Sequence, residues 1–378
     1  MRRAFSALAM SLVVVVAASC DRIGPVTTAA SASRTIAPTA PSLTRDAMAK
    51  YGIDIWPSGA RPPSRFVLST STGTGSNPSS RADFYTWTGS FVRSLNVAGV
   101  VDLSSVDGAY VVNLTTGDIW TSSGARVGSI DVFGESAGAP RTRGAFNWAQ
   151  DGDYFCTLET TGTGIAALLE DVAGHVTHIP LEVPADVIPA DGIRAMQIKC
   201  SLTADRVLVW GIFGLSERAA LIALTDGKPI SDLMLSNHYV WATSPDLHWL
   251  VAYNTAGTGP YDEVIDATAG SVVDQVDGNY SWFTPDGRNL VGNDTHGVAT
   301  ILDWRTNTEL WTGPFQLSGG VQKASDPSTD MMLLDLVTNP QSGVNDYWIV
   351  SGEGSGFRFT PQGCASIVAS PTRGCFFQ

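Results

Sequence analysis

The residue types that could do chemistry are sparse in this 378-residue chain: five histidines, five cysteines and eleven tryptophans, spread without clustering. His238 and His248 flank Trp241 and Trp249. Gathered at the mouth of a domain, these four would form an aromatic and imidazole surface for stacking a sugar or a peptide. His175 and His178 lie three apart, which on a strand sends them to opposite faces and removes a shared ligand role. Asp151-Gly152-Asp153, and Asp262-Glu263 with Asp266, lack the spaced oxygen ligands of a calcium loop. No Cys-x-x-Cys occurs, so no metal is expected. Gly214-Leu215-Ser216-Glu217-Arg218 lacks the second glycine of a nucleophile elbow. No HExxH, phosphate-binding loop or dinucleotide fingerprint is present. The sequence thus nominates no catalytic residue and no cofactor.

The elements that must position these residues are strands. From residue 64 onward the sequence alternates turns with short apolar runs and shows almost no helical period. One phrase recurs: a turn bearing Asp-Gly or Pro-Asp, then a strand. It appears as Val106-Asp107-Gly108 before Tyr110-Val111-Val112, and as Gln150-Asp151-Gly152 before Tyr154-Phe155. It returns as Thr203-Ala204-Asp205, Ser244-Pro245-Asp246, Thr284-Pro285-Asp286-Gly287 and Asp326-Pro327-Ser328. The spacing is roughly 40 to 55 residues, and a unit of that length with four short strands is the signature of a β-propeller. The aspartates build turns by bonding their own backbone. A two-sheet sandwich is the rival fold, but the period is too long and too even for it. The tryptophans at 120, 210, 241, 249, 282, 304, 311 and 348 read as packing between units.

Ser281-Trp282-Phe283-Thr284-Pro285-Asp286-Gly287-Arg288-Asn289-Leu290 followed by Ile301-Leu302-Asp303-Trp304 resembles a unit of the WD-repeat and related bacterial periplasmic propellers. Asp303-Trp304 reverses the Trp-Asp order of a true WD repeat, so the resemblance is to a divergent propeller. The six turn phrases give six units. Strands near residues 65–68 and 83–95, joined by strands at 365–368 and 375–377, give one more built from both termini. The expected fold is all-β: seven four-stranded blades over residues 64–378, closed by both ends of the chain, with six or eight blades as the alternatives.

At the N-terminus Arg2 and Arg3 precede a short apolar run with Val13-Val14-Val15-Val16, and Ala17-Ala18-Ser19 leads into Cys20. The run is too short to span a membrane and has the layout of a secretory signal. It resembles a bacterial lipoprotein signal, with Ala17 where that pattern prefers Leu. The resemblance implies that residues 1–19 are removed and that Cys20 carries lipid, tethering the protein to the outer face of the cell membrane. Arg2-Arg3-Ala4-Phe5 also bears a partial likeness to a twin-arginine export signal. Residues 20–63, rich in Ala, Thr, Ser and Pro, read as a flexible linker, although Tyr51 to Trp56 carries apolar side chains able to dock.

With Cys20 lipidated, Cys156, Cys200, Cys364 and Cys375 remain, and outside the cytoplasm four thiols allow three pairings. Cys156 with Cys200 would join adjacent units, and Cys364 with Cys375 would bridge a short hairpin. Buried free thiols are the alternative. The net charge of -13 argues against a nucleic-acid partner. A monomer is expected. The leading functional reading is a non-enzymatic binding or scaffold platform for an envelope protein or a small ligand. The alternative is a propeller enzyme, either a glycan hydrolase or lyase or a quinone-type dehydrogenase.

Overall fold

The computed structural model describes residues 50–51, 62–71, 79–99, 101–105, 107–130, 143–149, 152–162, 164–213, 216–235, 238–254, 261–326, 328–339 and 344–361. The chain divides into Met1–Ala37, outside the described residues, and Pro38–Gln378, which holds the architecture below. Among the described residues the only helical elements are two single 3-10 turns, Ala185–Val187 and Gly192–Ala195. None is long and apolar enough to cross a membrane.

Among the described residues, twenty-seven strands form seven antiparallel sheets in simple chain order. Blade 1 holds β1 (Phe66–Ser71), β2 (Ser79–Tyr85) and β3 (Phe91–Ala98). Blade 2 holds β4 (Val101–Ser104), β5 (Tyr110–Asn113), β6 (Asp118–Thr121) and β7 (Arg126–Ser129). Blade 3 holds β8 (Arg143–Trp148), β9 (Tyr154–Thr161), β10 (Gly164–Asp171) and β11 (Val176–Leu181). Blade 4 holds β12 (Met196–Ser201), β13 (Arg206–Phe213), β14 (Ser216–Ala223) and β15 (Pro229–Leu235). Blade 5 holds β16 (His238–Thr243), β17 (Trp249–Asn254), β18 (Tyr261–Asp266) and β19 (Ser271–Asp277). Blade 6 holds β20 (Asn279–Phe283), β21 (Leu290–Asn293), β22 (Ala299–Asp303) and β23 (Thr308–Thr312). Blade 7 holds β24 (Gln316–Asp326), β25 (Met331–Asn339), β26 (Val344–Ser351) and β27 (Gly356–Phe359).

Burial sets the order from axis to rim. First strands touch one another, β8 against β12 and β16 against β20, so they surround the axis. Second and third strands are almost wholly buried, as in β5 and β22. Fourth strands such as β7 and β23 are largely exposed. A lone twisted sheet cannot cover both of its apolar faces, and radial stacking does so. Seven apolar clusters fill the seven contacts between neighbouring blades, including Phe66, Leu68 and Tyr85 of blade 1 against Leu333, Ile349 and Phe359 of blade 7. The ring is therefore a seven-bladed β-propeller.

Blades 2, 5 and 6 turn from first to second strand in the same way. In Ser244-Pro245-Asp246 the Ser244 hydroxyl donates to Asp246 Oδ1 (2.6 Å) and accepts the Trp249 N–H (2.9 Å). Thr284 does the same with Asp286 (2.6 Å) and Asn289 (3.0 Å). Ser105 repeats it with Asp107 and Tyr110, both at 3.0 Å. These turns all lie at one end of the ring, the turn end; first strands begin at the other, the strand-start end. Gly108 shows how tightly the turn end is built. Its φ is +62°, and a Cβ there would lie 2.0 Å from the Arg65 carbonyl oxygen.

Cys156 on β9 and Cys200 on β12 are joined across blades 3 and 4, with Cα atoms 6.1 Å apart. The candidate pair Cys364–Cys375, the lipidation candidate Cys20, and the C-terminal strands expected to complete the closing blade lie outside the described residues. The linker docks on the ring around residues 50 and 51. Tyr51 is buried at the contact between blades 3 and 4, with its hydroxyl donating to Asp205, and Lys50 donates to Thr225 (2.9 Å).

Candidate functional site

The four residues expected to share one mouth do not all meet. β16 carries His238 at its first position and Trp241 at its fourth, at and below the strand-start end. His248 sits beyond its last residue, in the turn that leads into β17, and Trp249 opens β17. A six-residue strand spans roughly 20 Å, so the two histidines lie at opposite ends of blade 5. At the turn end His248 stacks edge-on against Trp249 (4.4 Å between ring centroids), and Trp249 stacks against Trp304 (5.2 Å). The Arg305 guanidinium lies 4.2 Å above the Trp304 ring. This corner ties blades 5 and 6 together and is packing. Trp120, Trp210, Trp282, Trp311 and Trp348 also belong to blade contacts. Trp241 does not: it is 44% exposed, which corrects its assignment to packing.

The reason lies in the backbone. The β16–β17 register skips between Val240 and Ala242, leaving Trp241 as the extra residue of a β-bulge. A bulge re-aims a side chain out of the regular alternation. On an innermost strand, an exposed side chain borders the space about the axis. The Trp241 ring meets Tyr253 edge to face, 6.0 Å between centroids.

On the same blade, one residue from each of the other three strands converges on the Glu263 carboxylate of β18. Glu263 Oε2 is 2.7 Å from His238 Nε2, and Glu263 Oε1 accepts from Asn254 Nδ2 (3.1 Å) and Gln275 Nε2 (3.2 Å). An ionised carboxylate only accepts, so His238 Nε2 carries the proton it donates. Burial works to raise the Glu263 carboxyl, but the bonds from Asn254, His238 and Gln275 and the His238 charge hold it below its ordinary range. The carboxylate fixes the imidazole without being exposed for chemistry itself, being only 6% accessible.

Two flanking carboxylates have another task. Glu217 of blade 4 accepts the Val240 N–H (2.6 Å), and Asp262 accepts the Tyr280 N–H of blade 6 (2.5 Å). Asn293 of blade 6 accepts the Leu317 N–H of blade 7 (2.8 Å). Each of these N–H groups sits where a first strand bulges and its own ladder is interrupted. Burial pushes the Glu217 carboxyl up to about 7 and Asp262 up to about 6, with the backbone bonds pulling the other way. Asp262 and Glu263 are adjacent, so the strand sends them to opposite faces: one staples the next blade, the other orients His238. Sequence reasoning weighed this pair only as metal ligands, and no residue spacing signals either role. Among the described residues no group of three or more His, Cys, Asp or Glu could hold a metal ion. A separate shallow cleft of about 370 Å³ lies beside the docked Tyr51, with Thr177 and Ile179 on one wall and Leu224 on another.

No protein family matches this chain, and no curated protein does. Solved structures of similar shape include the computationally designed Ika8 protein, at 12% identity and a TM-score of 0.41, covering 78% of this chain and 88% of that one. The β-propeller domain of Cps50 (Swd1) from Myceliophteria thermophila is 14% identical with a TM-score of 0.37, covering 58% of this chain and 68% of that one. TolB from Acinetobacter baumannii is 14% identical with a TM-score of 0.37, covering 76% and 77%. What this protein does must be argued from its own residues.

Proposed function

We propose that this protein is an exported β-propeller that acts as a binding platform for an envelope protein or a small ligand, tethered through lipid on Cys20 to the outer face of the cell membrane. One observation carries the platform reading. The bulge at Trp241 presents a half-exposed indole on an innermost strand, edge to face with Tyr253, on the blade that also holds an imidazole oriented by a carboxylate. A rigid, half-exposed aromatic suits stacking against a flat ligand face. The displaced carboxylates around it, Glu217 and Asp262, are engaged in joining blades. A glycan enzyme would instead need two carboxylates facing each other across an open cleft.

The test is site-specific photo-cross-linking of the full-length chain in a bacterial envelope. A photoreactive residue at position 241 should trap one discrete species. The same residue at Val273, exposed on the outer strand β19, should trap none. Equal trapping at both positions, or none at 241, would remove the platform. For the tether, Cys20→Ala should release the protein from the membrane fraction; unchanged retention would refute attachment there.

A further inference from the structure

Lys199 is the cation that the ring leaves alone. Among the described side chains all five histidines face a carboxylate, and so do six lysines and arginines. Arg65, Arg93, Arg206 and Arg305 donate to other acceptors. Arg194 and Lys228 lie exposed in water. Lys199 is half-buried on β12, and no described carboxylate of this acidic chain stands beside it. Strand alternation fixes its place. Met196, Ile198 and Cys200 are buried in the contact with blade 3, while Gln197 and Lys199 are half-buried on the opposite face. Lys199 lies directly across from Leu208, which belongs to the contact with blade 5, and such cross-strand partners share a face. Because β12 is an innermost strand, the amine stands at the inner margin of that contact, beside the axis. Lys199 is third from the end of β12, and Trp241 is third from the end of β16, the next innermost strand, so the two are level. β8 runs against β12 and β16 against β20, but β12 and β16 stand apart. The space between them is bordered by an ammonium on one side and an indole on the other.

We propose that Lys199 and Trp241 form a two-point site for a small ligand that carries a flat ring and an anionic group, a carboxylate or a phosphate. This rests on the platform reading of Trp241 and adds the charge by which that platform selects. The ligand ring stacks on the indole, and its anion accepts from the ammonium. Burial lowers the Lys199 amine from its ordinary 10.5 to about 8, so the interior resists the charge that a neighbouring anion would restore. A cation held away from water without a partner costs stability. A residue kept at such a cost serves binding better than it serves folding.

Calorimetric titration of the full chain with naphthoate, naphthyl phosphate, neutral naphthamide and acetate tests this. At least one ring-bearing anion should bind roughly 10-fold or more tightly than the amide or acetate, and the preferred anion tells carboxylate from phosphate. Lys199→Gln should weaken the anion by roughly 10- to 100-fold, down to the amide. It should leave the melting temperature unchanged or higher, which the loss of a structural ion would not do. Trp241→Ala should weaken anion and amide alike. Anions that bind no better than the amide, or that are indifferent to Lys199→Gln, would overturn the site; a loss on Trp241→Ala would still keep the platform. Binding that needs Lys199 but ignores Trp241→Ala would overturn both. Amine acetylation of the wild-type chain, read by mass spectrometry, decides the matter even if a variant does not fold. Saturating naphthoate or naphthyl phosphate should protect Lys199 and spare Lys228, and protection of neither or of both equally would overturn the proposal.

Discussion

The two ends of the ring use polar side chains in opposite ways. At the turn end Ser244 and Thr284 reach two to five residues along their own chain, to Asp246 and Trp249 or to Asp286 and Asn289. At the strand-start end Glu217 reaches Val240, 23 residues away, and Asp262 reaches Tyr280, 18 away, each in the next blade. The first kind of bond makes a blade; the second kind makes a ring of blades. The turn bonds are short, neutral or locally solvated. The blade staples are buried carboxylates whose charge the interior resists. Stability should therefore respond to backbone fit at the turn end and chiefly to the protonation of the blade staples at the other.

The largest effect is expected where the turn end is packed against a second blade. Gly108→Ala places a methyl group on the Arg65 carbonyl in a left-handed conformation. A loss of at least ~3 kcal/mol is expected in denaturant unfolding. A cost below 1 kcal/mol would mean that blades 1 and 2 can separate there without penalty.

At the other end the sign is set by pH. The Glu217 carboxyl rises from its ordinary 4.5 to about 7 in the folded chain, because burial disfavours its charge. The folded state then holds a proton that the unfolded state has lost. Stability is greatest below the unfolded value and is lost as pH rises toward 7, by on the order of 3 kcal/mol for this group. Glu217→Gln keeps an acceptor for the Val240 N–H and carries no charge. It should flatten the decline between pH 5 and 8 and raise the melting temperature at pH 8. An unchanged pH profile would show that Glu217 does not set the slope. Asp262, raised to about 6, and Asp330 at the turn end, raised to about 7 by burial and by Asp286, should supply the slope that remains.

The same contrast explains what could be read from the sequence. Turn chemistry is local, so Ser244-Pro245-Asp246 and Thr284-Pro285-Asp286 mark their units in print, and counting such phrases gives six blades, the seventh being read from strands near both ends of the chain. The staples have no local pattern: nothing in Ser216-Glu217-Arg218 says that its carboxylate meets Val240. His238 and His248 look equivalent beside Trp241 and Trp249. They separate only once β16 is known to lie between them. The bulge that exposes Trp241 is equally silent, since it depends on how two strands fall out of step. The docking of Tyr51 was legible in kind, as an apolar residue in a polar linker, but its partner Asp205 was not.

Ser244→Ala and Thr284→Ala test whether the turns are independent units. Each removes a hydroxyl that donates to an aspartate and accepts a backbone N–H, and each should cost ~1 to 2 kcal/mol. With the two sites in separate turns, the double variant should cost the sum to within about 0.5 kcal/mol. A large deficit or excess would show that neighbouring turns form one cooperative corner, and the contrast between local and non-local ends would weaken.

Trp241→Ala should do least to the fold and most to binding. The ring is 44% exposed and its described ring contact is the edge of Tyr253, so truncation should change stability by about 0.5 kcal/mol or less. A core tryptophan truncated to alanine would cost roughly 3 to 5 kcal/mol, and Trp304, 6% exposed under Arg305, provides that control. The indole at 241 therefore contributes little to the folded state, while the bulge that displays it interrupts a ladder whose freed N–H, at Val240, must be recovered by Glu217. If unfolding shows Trp241→Ala to be as costly as Trp304→Ala, the residue belongs to the core and the platform loses its centre. If the cost is small and cross-linking from position 241 still finds one species, the bulge, the staple and the exposed ring form a single device for presenting an aromatic surface.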